Sequence, residues 1–174
     1  KALEKRHLRK ENILLRREIE SRAGFANFIG TSAPMQSVFS LIRQVADTKS
    51  TVLITGESGT GKELIAHAIH ALSPTNSGRF IAVNCSAIPE TLLESELFGH
   101  KRGSFTSAFE DRKGLFETAR GGTLFLDEIG HMSMGCQVKL LRAVEQRQIL
   151  PVGSATPVEI NLRLIAATNR QLTE

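Results

Sequence analysis

A chain of 174 residues, 41 % of them apolar and 23 % charged, is long enough for one domain with a sizeable core and too short for two comfortable ones. No apolar run approaches the roughly eighteen residues that a membrane span needs, and no charged-then-apolar leader opens the chain, so a soluble cytoplasmic protein without membrane contact is expected. The net charge of +4 is lopsided: residues 1–22 carry eight Lys or Arg against four Glu, which leaves the remainder neutral and, with Trp and Tyr absent, argues against a nucleic-acid face on the globular part.

In chain order, residues 1–24 form a predicted helical linker. Its first 22 residues lack Gly and Pro, and Leu8, Asn12, Leu15 and Ile19 recur at heptad spacing. Ile13 and Leu14 beside that seam leave two arrangements open, a short coiled coil and a single helix docked on the domain. Ala23-Gly24 and Phe28-Ile29-Gly30 then break the helix, and residues 25–174 are assigned to an α/β domain. Ser32 and Pro34 supply an N-cap and first-turn signal for a helix with Val38, Leu41, Ile42 and Val45 on its core face. Four short apolar strands follow, at 51–55, 80–84, 123–127 and 163–168, alternating with helices. That order predicts a mostly parallel sheet covered on both faces, a three-layer core. Cys85 and Cys136 lie far apart with no close Cys or His partner, which suits reduced thiols better than a disulfide or a metal site.

The first strand runs into GESGTGKE at 56–63 and then into a helical stretch, which is the arrangement of a P-loop. Gly56, Gly59 and Gly61 admit positive φ, so that the backbone N–H groups of the loop, those of Glu57, Ser58 and Thr60 included, turn inward toward the phosphates of ATP. Lys62 is placed to reach the β and γ oxygens. Glu63 stands where the general pattern has a hydroxyl for Mg²⁺; either it contributes through water or the metal leans on the second motif. That motif is GGTLFLDEIG at 121–130, an apolar strand ending in two carboxylates. Asp127 is expected to hold Mg²⁺ through its water shell, and Glu128 to orient and deprotonate the attacking water. Asn84 and Asn169 end two further strands, and an amide there can serve the γ-phosphate, the water or Glu128, or act simply as a turn residue. The polar segment 96–114 is predicted to be an exposed loop whose Phe98, Phe105 and Phe109 either meet a partner or pack back. His67 and His70 read as a surface pair rather than zinc ligands, since no third ligand is near in sequence.

Taken together, GESGTGKE, FIAVNCSAIPETLLESELFGH, GSFTSA, GGTLFLDEIG and RLIAATNR resemble, from about Phe28 onward, the central AAA+ domain of NtrC-type activators of sigma-54 RNA polymerase. The resemblance implies an ATPase, with Mg-ATP hydrolysed between the subunits of a hexameric or heptameric ring and the closed sigma-54 holoenzyme complex remodelled as a result. It implies that Asn84 switches Glu128 and that Asn169 is the first nucleotide sensor. Its sigma-54 contact loop, GAFTGA in the family, reads Gly103, Ser104, Phe105, Thr106, Ser107, Ala108 here; the two contact residues are kept, while Ser104 and Ser107 replace Ala and Gly. Lys101, Arg120 and residues 131–135 also depart from the family pattern. The arginines that act in trans, the last core strand, the helical lid and a helix-turn-helix DNA reader are expected beyond residue 174, and a receiver domain before the linker, so the isolated fragment should hydrolyse ATP weakly. An alternative keeps nucleotide binding for control of oligomerisation and gives up sigma-54 through the altered loop; an unrelated P-loop kinase is disfavoured by the lack of an acceptor motif.

Overall fold

A computed structural model describes residues 32–106 and 108–170, so the expected linker helix and Ser107 lie outside the described residues. Four parallel strands, β1 (Val52–Thr55), β2 (Phe80–Asn84), β5 (Thr123–Asp127) and β8 (Arg163–Thr168), form one sheet in the order β1-β8-β5-β2. The central pair, β8 and β5, is buried along almost its whole length, which is why both read as unbroken apolar runs rather than alternating ones. Successive side chains still leave opposite faces. Phe125, Ile165 and Ala167 meet Phe39, Ile42, Ala66 and Ile69 of helices α1 (Ala33–Ala46) and α2 (Lys62–Ala71). Leu124, Leu126 and Leu164 meet Leu93, Leu97 and Phe98 of α3 (Glu90–Phe98), Phe116 of α4 (Leu115–Thr118), and Cys136 and Ala143 of α5 (Met134–Gln146) on the other side. The three-layer α/β architecture is thus present, and no described helix is long and apolar enough to cross a membrane.

Three local expectations need correction. Of the expected face of α1, Ile42 is buried and Val38 and Val45 pack half-buried against the core, but Leu41 is 59 % exposed, and Phe39 and Ala46 take its place in the core. The first strand starts at Val52, and Leu53 is 45 % exposed, because β1 pairs only with β8 and lies at the sheet edge. Segment 96–114 is not one exposed loop. Phe98 is fully buried and stacks on Phe116, while Gly99 and His100 form the two-residue strand β3, antiparallel to β4 (Arg112–Lys113). Gly99 is required at that crossing, since its φ is 79° and a Cβ would sit 2.6 Å from the Arg112 carbonyl oxygen. Only the span between β3 and β4 projects. A second small pair, β6 (Gln148–Ile149) with β7 (Val158–Glu159), carries a turn that hydrogen-bonds to its base through Lys101 N–H to Val152 O and Val152 N–H to Gly99 O, both at 2.9 Å.

Arg163 opens β8 almost fully buried and with no carboxylate partner among the described residues. Its guanidinium donates to Ala46 O at 2.7 Å and Val45 O at 2.5 Å, two carbonyls at the end of α1. Val45 O also accepts from Thr48 at the helix end, and the guanidinium pins that end to the sheet where the helix dipole favours a cation; burial pushes its pKa down.

Candidate active site

The carboxyl ends of the strands converge on a cleft of about 930 Å³ lined by Lys62, Asn84, Asp127, Glu128, His131 and Asn169, among others. Parallel strands place their C-terminal residues on one edge, and the in-register pairing of Asn84 with Asp127 sets an amide beside a carboxylate there. The glycine loop springs from the same edge, tied to β8 by Gly56 N–H donating to Thr168 O at 3.3 Å. Gly59 and Gly61 have φ of 79° and 85°, the left-handed backbone expected of them, whereas Gly56, of which the same was expected, does not have positive φ. Ser58, Gly59, Gly61, Lys62 and Glu63 face the cleft. Thr60 and Glu57 instead close the loop on itself, with Thr60 Oγ1 donating to Glu57 O at 2.8 Å.

Lys62 is 6 % exposed and folds back over the loop, its Nζ donating to Gly56 O at 3.1 Å and Glu57 O at 2.9 Å. The same ammonium lies 3.9 Å from Glu128 Oε1. Glu128 is 8 % exposed and has left-handed backbone, φ 56°, ψ 45°, a costly conformation for a residue with a Cβ. The turn is held by Glu128 N–H donating to Asp127 Oδ1 at 2.9 Å, and Glu128 Oε2 accepts from the Asn169 backbone N–H at 3.4 Å. No hydrogen bond joins Asn84 to Glu128 among the described residues. Its Oδ1 accepts from Ser86, from the backbone N–H at 2.9 Å and from the hydroxyl at 2.7 Å.

Magnesium fits this donor set only together with phosphate. Among the described residues no group of three His, Cys, Asp or Glu is arranged to hold an ion, and one oxygen of Asp127 is already engaged. A hydrated Mg²⁺ held by one or two carboxylates and completed by phosphate oxygens suits such a site. Glu63 is exposed and lies 3.9 Å from His67 Nε2, one helical turn on.

The two histidines are not the surface pair expected. His70 is buried, with Nδ1 2.8 Å from Thr123 Oγ1, and burial first, then the charges of His67 and Arg163, lower its pKa. His67 stacks on Phe80 at 3.9 Å between ring centroids. Both line the cleft, as do Ser86 and His131. The sequence reading had not given the last two a part in it; the signal available was their position, two residues after one strand end and three after the other catalytic-edge carboxylate. Cys85 and Cys136 are free and buried, their thiols pushed up to about 12 and about 11 by desolvation.

The GSFTSA loop is separate from the cleft. Phe105 is half-buried, edge-on to the His100 ring at 4.9 Å, Ala108 is buried, and Thr106 is exposed. The most exposed aromatic among the described residues is Phe109, at 80 %. Lys101 donates to Asp111 Oδ2 at 2.6 Å, and Arg102 N–H to Asp111 Oδ1 at 2.8 Å, closing the loop base; this pairing raises the Lys101 pKa and lowers that of Asp111. The Ser104 hydroxyl is buried without a partner among the described residues, and Gly153 is so close that a Cβ there would lie 2.6 Å from Ser104 Cβ.

A parallel strand leading through a glycine turn into a helix, with a buried lysine facing paired acids at the end of β5, one strand beyond the neighbouring β8, defines an α/β domain of the P-loop nucleoside-triphosphatase class. More particularly, the chain belongs to the sigma-54 interaction domain family, whose profile matches residues 28–174. It is 52 % identical over 98 % of its length to the Nif-specific regulatory protein of Herbaspirillum seropedicae, and 53 % identical over 96 % to the nitrogen fixation protein VnfA of Azotobacter vinelandii. The chain spans 32 % of each of these relatives. Among solved structures, NtrX from Brucella abortus in complex with ADP matches with a TM-score of 0.76 and 37 % identity, over 93 % of this chain and 34 % of that one. The NtrX complex with ATP matches with the same TM-score at 36 % identity, over the same shares.

Proposed function

We propose that this chain is the ATP-hydrolysing part of a sigma-54-dependent transcription activator, of the kind that controls nitrogen-fixation genes in its relatives. The observation that carries the reading is the cleft itself: Lys62 within 3.9 Å of Glu128, with Asp127, Asn84 and Asn169 around the same space. The loop N–H groups and the N-terminus of α2 receive the phosphates. Lys62 leaves the Gly56 and Glu57 carbonyls for the β and γ oxygens, which frees Glu128 of its cation. Glu128 then orients a water and takes its proton, and the Asn169 N–H keeps the other carboxylate oxygen aimed. Asp127 would hold a hydrated Mg²⁺, which would supply charge neutralisation on the phosphates. The ADP and ATP complexes of NtrX support nucleotide as the ligand.

Movement at the cleft reaches the loop through β8. Asn169 follows the strand's end, and its start leads back to the 148–159 hairpin, whose Val152 holds the loop base by two hydrogen bonds. In the intact protein, a ring of six or seven subunits in the cytoplasm completes each site with arginines from a neighbour. Phe105 and Thr106 contact sigma-54, and a separate downstream domain binds DNA.

The test uses the full-length protein. Glu128→Gln should bind ATP with affinity near that of the parent and lose turnover by roughly two to four orders of magnitude; unimpaired hydrolysis refutes the assignment of the base. If the native GSFTSA loop supports open-complex formation by sigma-54 polymerase, nucleotide-controlled oligomerisation alone does not describe the protein.

A further inference from the structure

We propose that Ser86 is a positioning residue that fixes the Asn84 amide as a one-way hydrogen-bond donor to an anion in the cleft, an inference that rests on the ATPase reading above. An amide ordinarily offers both an acceptor and two donors, and its two ends are hard to tell apart. Here the ambiguity is removed by a backbone group. Ser86 N–H can only donate, so the Asn84 atom 2.9 Å from it is the carbonyl oxygen. The Ser86 hydroxyl approaches the same oxygen at 2.7 Å, which fills its second lone pair. The turn beneath is closed by Ala87 N–H donating to Asn84 O at 3.2 Å and anchored to the neighbouring strand by Cys85 N–H donating to Asp127 O at 3.0 Å.

With its acceptor spent, Asn84 has only Nδ2 to offer the cleft it lines. A pure donor there serves an anion, either the γ-phosphate or the Glu128 carboxylate, and cannot accept a proton from the attacking water. That task is left to Glu128. The side-chain hydroxyl of Ser86 is one of two anchors; without it the amide is held by the backbone N–H alone and is free to turn its oxygen into a site that needs a donor.

The experiment compares full-length parent, Ser86→Ala, Ser86→Thr, Asn84→Ala and the Ser86→Ala/Asn84→Ala double variant. Losing one such hydrogen bond predicts roughly a fivefold fall in kcat for Ser86→Ala, with KM for ATP within about twofold, recovery in Ser86→Thr, and no additional loss when Asn84 is already alanine. Independently of turnover, a nucleotide-free crystal structure of Ser86→Ala should show the Asn84 amide displaced from its turn. Affinity for a non-hydrolysable ATP analogue relative to ADP falls if the γ-phosphate is the recipient and stays constant if Glu128 is. The proposal is overturned if Ser86→Ala keeps the parent kcat, if its Asn84 is unmoved, or if its loss is the same in the Asn84→Ala background. A parent protein that neither binds nor hydrolyses ATP overturns the proposed function, and this inference with it; an active parent with a silent Ser86→Ala overturns only the inference.

Discussion

Replacing Lys62 by Met retains the buried aliphatic stem and removes the ammonium, which separates two consequences of the cleft geometry. The first concerns the nucleotide-free protein. Lys62 and Glu128 are both nearly buried, with charges 3.9 Å apart, and at an effective dielectric constant of about 20 their attraction is at most about 4 kcal/mol. The cleft opens to water, so roughly half of that survives, and the stranded carboxylate should cost about 2 kcal/mol of stability. For a domain of this size that lowers the midpoint of thermal unfolding by about 4 to 8 °C. Calorimetry of parent, Lys62→Met, Glu128→Gln and the double variant isolates the pair, because Lys62→Met should be largely rescued once Glu128 is neutral. The second consequence concerns ATP. The ammonium gives up two carbonyls to reach phosphate, and the net loss of about 3 kcal/mol corresponds to binding roughly 150-fold weaker by titration calorimetry. A Lys62→Met protein that melts within about 1 °C of the parent, and is not rescued by Glu128→Gln, refutes the ion pair and with it the idea that Lys62 restrains the base before ATP arrives.

Two further outcomes follow from buried polar groups. His70 has its pKa lowered by burial from an ordinary 6.5, so the unfolded chain binds the extra proton first, and stability should fall as pH drops through about 6.5 and level off below the folded value. Thermal unfolding between about pH 5 and 8 should show that slope in the parent and lose it in His70→Gln. The Ser104 hydroxyl is desolvated with no partner among the described residues, so Ser104→Ala should raise stability by about 1 kcal/mol in urea titration; a decrease would mean that the hydroxyl is satisfied.

The parts legible in the sequence were those where one physical demand dominates. Strands 80–84, 123–127 and 163–168 stand where their apolar runs placed them, because a strand buried on both faces tolerates little else and ends where the cleft requires a polar group. The glycines at 59 and 61 were legible for a similar reason, a backbone that only glycine adopts without cost. What escaped had competing causes. Helix α1 offered two overlapping apolar stripes, and the choice between Leu41 and Phe39 was made by the sheet it lands on. Strands β3, β4, β6 and β7 are two residues long, too short to show any period. His70 pairs with Thr123, fifty-three positions away, and Asn84 with a neighbour whose hydroxyl looks like any loop serine; neither partnership has a signature in linear spacing.

The left-handed backbone at Glu128 has an evolutionary corollary. A side chain held at φ 56° stores strain, and glycine at that position would relieve it while erasing the proposed base. Selection for thermal robustness alone would therefore drift toward an inert protein, so the carboxylate persists there only as long as turnover itself is under selection.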